Sequence, residues 1–140
     1  MKVHFFSADS RIPVSNRSEL KQFIKSIFER EQVKLARLNY IFCSDDYLLS
    51  INRTYLKHDY YTDIITFDLS ASKNCIEGEI YISVDRVRNN AIDLEQTFKR
   101  EMHRVIFHGA LHLCGYKDKR TRDIQIMRAK EDQYLQSYFK

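Results

Sequence analysis

The 140-residue chain has no tryptophan, a single proline and three glycines, and its three cysteines, Cys43, Cys75 and Cys114, include no C-x-x-C pair. An odd, scattered cysteine count argues against a disulfide framework and fits a reducing compartment. Scarce glycine and proline, with no Ser/Gly/Pro-rich linker, no internal repeat and no low-complexity tract, predict one domain over residues 1–140. No stretch approaches the ~20 apolar residues that a membrane span requires. The opening MKVHFFSADSRIPV is broken by Asp9 and Arg11 and reads as neither signal nor transit peptide, so the expectation is a soluble, cytoplasmic protein without a membrane partner. Charge of one sign is also modest. A net +4 permits an acidic partner such as nucleic acid without requiring one.

What is present is a globular balance, 44% hydrophobic, enough for a core without staples at this length. VHFFSA (3–8) reads as a strand. Asn16 with Glu19 resembles a capping box opening a helix to about Glu31, with Leu20, Phe23, Ile24, Ile27 and Phe28 at helical spacing. Residues 36–43 alternate as a second strand, and Ser44 with Asp45 and Asp46 starts a short helix. Residues 57–63 form a loop, 63–70 a third strand, and 76–83 a fourth, with Gly78 a candidate bulge. The pattern from Val84 to Leu113 is helical with a break near 92–94. Gly115 closes it, and a last helix runs over roughly Thr121–Tyr138. The predicted fold class is α/β or α+β: a small mixed four-stranded sheet with helices packed on it, its last two strands a hairpin.

The chemistry concentrates in EMHRVIFHGALHLCGYKDK, residues 101–119. At about 100° per residue, His112 and Arg104 lie about 40° either side of His108 and Glu101 about 20° away, so all four share one stripe. His103 faces the opposite way. Imidazoles at i and i+4 can converge on one ion, as in helical zinc sites. A glycine bend at Gly115 then allows Asp118 to bring a carboxylate as third ligand. Three protein ligands leave a position for water, the arrangement of a catalytic zinc site. Glu101 is a candidate to orient an imidazole from behind, or to pair with Arg104. Cys114, turned about 120° from His108, is read as a core residue.

HGALHLCGYKD (108–118) resembles the H-G-x-L-H-L-x-G-Y-D-H motif of the YbeY family of bacterial endoribonucleases. Asn52, Tyr55 and TDIITF (62–67) resemble its N-x-x-Y-R…T-D-V-L-S-F segment, GEIYIS (78–83) its G-D-I-x-I-S strand, and Glu101 its acidic residue two turns before the first motif histidine. The likeness spans roughly residues 35–135. It implies a zincin-like fold, one zinc ion, single-strand-specific RNA cleavage in maturation of the small-subunit ribosomal RNA 3′ end, ribosome quality control, and contact with ribosomal RNA and the ribosome.

Two positions depart from the pattern. The third motif histidine is Asp118, whose oxygen is a harder donor and leaves room for another divalent ion. The arginine after the motif tyrosine is Leu56, with Arg104, Arg53 and His58 as candidate replacements. Lys117, Lys119, Arg120 and Arg122, with Arg128 and Lys130 beyond, suit phosphate contacts beside the site, or simply a solvated face. Tyr60, Tyr61 and Tyr116 are candidates for stacking on unpaired bases. Two other readings remain: a small zinc peptidase, though Gly109 stands where such an enzyme has its glutamate, and a non-catalytic ribosome-associated factor with a structural metal.

Overall fold

The computed structural model describes residues 2–140, in which β1 (Val3–Ser7), α1 (Arg17–Arg30), β2 (Leu35–Cys43), α2 (Asp45–Leu56), β3 (Ile64–Asp68), β4 (Ile76–Ser83), α3 (Val84–Asp93), α4 (Phe98–Leu113) and α5 (Thr121–Tyr138) follow in order. The sheet is mixed, as expected. Its order is β1-β2-β4-β3, with β1, β2 and β4 parallel and β3 antiparallel to β4 as a hairpin. Alternation drives this arrangement. On β4, Ile76, Gly78, Ile80 and Ile82 turn inward beside Leu38, Tyr40 and Phe42 of β2. That face packs against α1 and α4, which contribute Leu20, Ile24, Ile27, Ile106, Phe107 and Ala110 to the main core. The opposite face carries a smaller cluster of Cys43, Leu48 and Ile65 beneath α2.

Helix α4 is the central element, touching α1, α3, α5, β3 and β4. Two glycines let it lie close to the sheet. A Cβ on Gly109 would come within 2.7 Å of Ile80 Cδ1, and one on Gly78 within 2.7 Å of Leu113 Cδ1 and 3.2 Å of the Phe67 carbonyl oxygen. Tyr40 ties the same contact by donating its hydroxyl to the Ile106 carbonyl at 2.7 Å.

Several local expectations change. Asn16 does not build a capping box: it sits in the left-handed region at φ 51°, and its side chain caps nothing. Gly78 is not a bulge, because close packing under Leu113 is what demands glycine; the register irregularity lies between Leu35 and Arg37 on β2. Strand β3, Ile64–Asp68, is shorter than predicted, although the Ser83 amide still donates to the Asp63 carbonyl at 2.9 Å and the Leu69 amide to that of Glu77 at 2.7 Å. The break in the 84–113 helical run is a full interruption. Glu95 turns left-handed at φ 54°, and Thr97 starts α4 by accepting from the Arg100 amide. No helix among the described residues is long and apolar enough to cross a membrane.

Candidate metal and RNA cleft

The site is built where α4 ends. Its last turn closes in a Schellman arrangement: the Tyr116 amide donates to the Leu111 carbonyl at 3.1 Å and the Gly115 amide to that of His112 at 3.0 Å. Gly115 has φ 108°, a conformation side chains resist, so glycine here permits the reversal. The returning chain brings Asp118 Oδ2 to 3.2 Å from His108 Nε2. Tyr116, on the same return, donates to Glu31 at 2.6 Å, and Glu31 also accepts from Tyr134 and, at 3.1 Å, from Lys130. The loop is thereby tied to the end of α1 and the middle of α5.

Burial pushes the Glu31 carboxyl up, but these three donors win and hold it below its ordinary value. The folded state therefore releases this proton at lower pH than the unfolded chain, and the stabilisation is present above about 4.5, the unfolded value, and fades as pH falls through the lower folded value. Glu31→Gln is expected to be less stable than the parent at pH 7, with the gap narrowing on acidification. Urea unfolding at pH 7 and pH 3.5 measures both.

Behind His108 the structure supplies a partner that the sequence did not reveal. Nδ1 lies 2.7 Å from Oε2 of Glu131, one turn beyond Met127 on α5. A carboxylate only accepts, so the proton sits on Nδ1 and Nε2 faces Asp118 and the cleft. Burial disfavours the His108 cation, yet the hydrogen bond and charge of Glu131, helped by Asp118, raise its pKa overall. Glu131 Oε1 accepts from Arg104 at 3.0 Å, and the other arm of that guanidinium reaches Asp132 at 3.0 Å. The role considered for Glu101 thus falls to Glu131. Glu101 lies 3.6 Å from Arg104 Nε, the pairing expected as its alternative. Glu131 is only 4% exposed. Glu131→Ala, removing the Nδ1 partner of His108 and one of the carboxylates that hold Arg104, is expected to cost about 3 kcal/mol, read as a lower urea midpoint.

His112 is exposed, one turn beyond His108. Burial lowers its pKa, and it feels opposing influences from Asp118, which raises it, and His108, which lowers it. Among the described residues no three His, Cys, Asp or Glu side chains close into a ready-made metal cage. The pair at 3.2 Å nonetheless fits an ion: donors about 2.0–2.1 Å from a tetrahedral zinc stand about 3.3 Å apart. His108 and Asp118 are thus at ligand separation, with His112 on the adjoining turn. His103 lies away from the site, buried between Tyr138 and Phe139, with Nδ1 donating to the Lys99 carbonyl. Cys114 packs against the core, its thiol pushed up to about 12 by burial.

The cleft beside the pair encloses about 450 Å³ and runs between α3, α4, α5 and the loop before β3. Its walls include Asp63, Asn90, Leu94 and Arg128. Burial raises the pKa of Asp63. Of the candidates for the role left by Leu56, Arg104 is held by three carboxylates, Arg53 pairs with Asp59, and His58 stacks on Tyr60. Arg128, which lines the cleft and is 54% exposed with Glu131 only at 4.0 Å, is freer than any of them. Lys117, Lys119, Arg120 and Arg122 are exposed at the mouth-side loop and the start of α5. Lys130 is engaged by Glu31. Tyr60 and Tyr61 are exposed, whereas Tyr116 is held by Glu31 and withdrawn from stacking.

A histidine pair on a helix over a mixed sheet, a carboxylate returning past a glycine bend and a basic rim thus meet at one cleft. The model of the family described as Endoribonuclease YbeY matches residues 4–139, and the chain belongs to that family. An Endoribonuclease YbeY of Cytophaga hutchinsonii is 52% identical over 133 residues, covering 95% of this chain and 93% of the relative. One of Parabacteroides distasonis is 42% identical, covering 96% and 94%. A Thermotoga maritima protein solved in solution superposes with a TM-score of 0.68 at 25% identity, over 98% of this chain and 89% of that one.

Proposed function

We propose that this protein is a metal-dependent, single-strand-specific endoribonuclease of the cytoplasm that matures the 3′ end of small-subunit ribosomal RNA and acts in ribosome quality control, in contact with the ribosome. The observation carrying the reading is the approach of His108 Nε2 and Asp118 Oδ2 to 3.2 Å at the cleft, in a chain of an endoribonuclease family. His108, His112 and Asp118 would hold one zinc or related divalent ion. When bound, such an ion supplies Lewis-acid activation of water and of a phosphoryl oxygen. Glu131 keeps the His108 proton on Nδ1 and so keeps Nε2 available as a donor. Arg128 and the basic residues at 117–122 attract and orient the phosphodiester.

The test is cleavage of a fluorescent single-stranded RNA, with its duplex and casein in parallel, before and after chelation. Loss of single-strand cleavage on chelation and recovery with zinc is expected. Cleavage indifferent to chelation, or casein digestion in its place, defeats the proposal.

A further inference from the structure

The end of the cleft remote from His108 contains an acceptor that no side chain or backbone group among the described residues satisfies. Glu101 is 4% exposed, and its Oε1 is buried without a hydrogen-bond partner. Arg104 Nε, at 3.6 Å, stands beyond hydrogen-bonding distance, and its other nitrogens are taken by Glu131 and Asp132. Nearby on the same cleft wall, the Asp63 carboxylate receives a long 3.5 Å contact from the Asn90 amide. A buried carboxylate lacking a donor is costly, and such a group in a cleft is characteristically completed by a ligand. The ligand must therefore bring hydrogen-bond donors.

The surroundings narrow its chemistry. Leu94 and Val105 give the cleft apolar surface suited to a flat ring, and Leu94 is half exposed at its edge. A divalent cation fits poorly, since it wants about six oxygen ligands and would meet the Arg104 guanidinium beside Glu101. Glu101 also lies seven residues before His108 on α4, about 10 Å along the helix axis. A ligand with a phosphate at one end and a donor-bearing ring at the other matches that separation.

We propose that the Glu101 end of the cleft is a guanine-binding subsite that selects a guanosine next to the phosphodiester to be cut, a proposal resting on the RNA reading above. Guanine is the RNA base whose Watson–Crick edge carries two adjacent donors, N1–H and the N2 amino group, matching one carboxylate. Adenine and cytosine set an acceptor beside their amino group, and uracil flanks its single N–H with two carbonyls. Glu101 accepts from the N1–N2 edge, and Asp63 and Asn90 line the same recess. Reading an unpaired base by this edge is how proteins recognise single-stranded RNA.

The test compares guanosine 5′-monophosphate with inosine 5′-monophosphate, which lacks only the N2 amino group, by amide-shift titration of the intact protein. Guanosine monophosphate is expected to bind about tenfold more tightly and to shift the amides of Asn90, Leu94 and Glu101. Glu101→Gln is expected to bring the two nucleotides within about twofold of each other. Equal binding by the unaltered protein, or shifts confined to other regions, overturns the subsite, and this comparison decides even if the variant does not fold. RNA cleavage is scored separately. Guanine selectivity without cleavage removes the endoribonuclease reading and leaves the subsite, whereas cleavage without selectivity does the reverse.

Discussion

His108→Ala is expected to lose its bound metal and at least about a thousandfold of RNA cleavage while keeping its fold. The magnitude follows from the several kcal/mol that Lewis-acid activation contributes to such hydrolysis, at about 1.4 kcal/mol per tenfold. Retention of the fold follows from position. The His108 side chain is 21% exposed at the cleft, and without it Glu131 still accepts from Arg104 at 3.0 Å. Metal content by elemental analysis, circular dichroism and cleavage rate, taken on the same preparation, separate the possibilities. Native spectra with unchanged cleavage and no metal would sink the metal-dependent mechanism. Asp118→Asn, retaining an oxygen donor without the charge, is expected to bind metal more weakly than the parent and to cleave more slowly.

Gly109→Glu, which would create the HExxH sequence of a zinc peptidase, is expected to unfold the protein instead of converting it. Position 109 faces the sheet. Its new Cβ would stand 2.7 Å from Ile80 Cδ1 and 3.1 Å from Ile64 Cδ1, with the carboxylate forced into an apolar contact. Overpacking of about 1–3 kcal/mol adds to several more for the uncompensated buried charge. Together these approach the whole stability of a domain this size, about 5–15 kcal/mol. Gly109→Ala meets Ile80 Cδ1 and Cγ2 and Ile64 Cδ1 without adding a charge and is expected to cost about 1–3 kcal/mol. Urea unfolding ranks the two. A Gly109→Glu protein that folds with parent-like stability would overturn this packing argument.

The same geometry explains which sequence signals were informative. The histidine spacing, the acids after Ser44 and Gly115 act within one turn, and each appears where predicted. Helix α5 runs over Thr121–Tyr138 as its periodicity indicated. Asn16 misled because Asn also adopts the left-handed conformation, and that alternative won. Gly78 misled because a glycine inside a strand marks a bulge or a close approach, and only the neighbouring Leu113 distinguishes them.

Glu131 was the consequential omission. It lies 23 residues beyond His108 on another helix, and nothing in the spacing along α5 says which carboxylate will meet an imidazole on α4. The same holds for Arg104, whose partners Glu131 and Asp132 also come from α5.

From the chain alone follow the helices and strands, the paired imidazoles and the reversal that returns a carboxylate, because backbone preference and side-chain periodicity act over a few neighbouring residues. Packing α3, α4 and α5 around one cleft decided the rest: which acid holds His108, which arginine stays free, and which buried carboxylate is left without a donor. Those outcomes depend on distances between segments far apart in sequence, which exist only once the sheet and helices have closed on a common core.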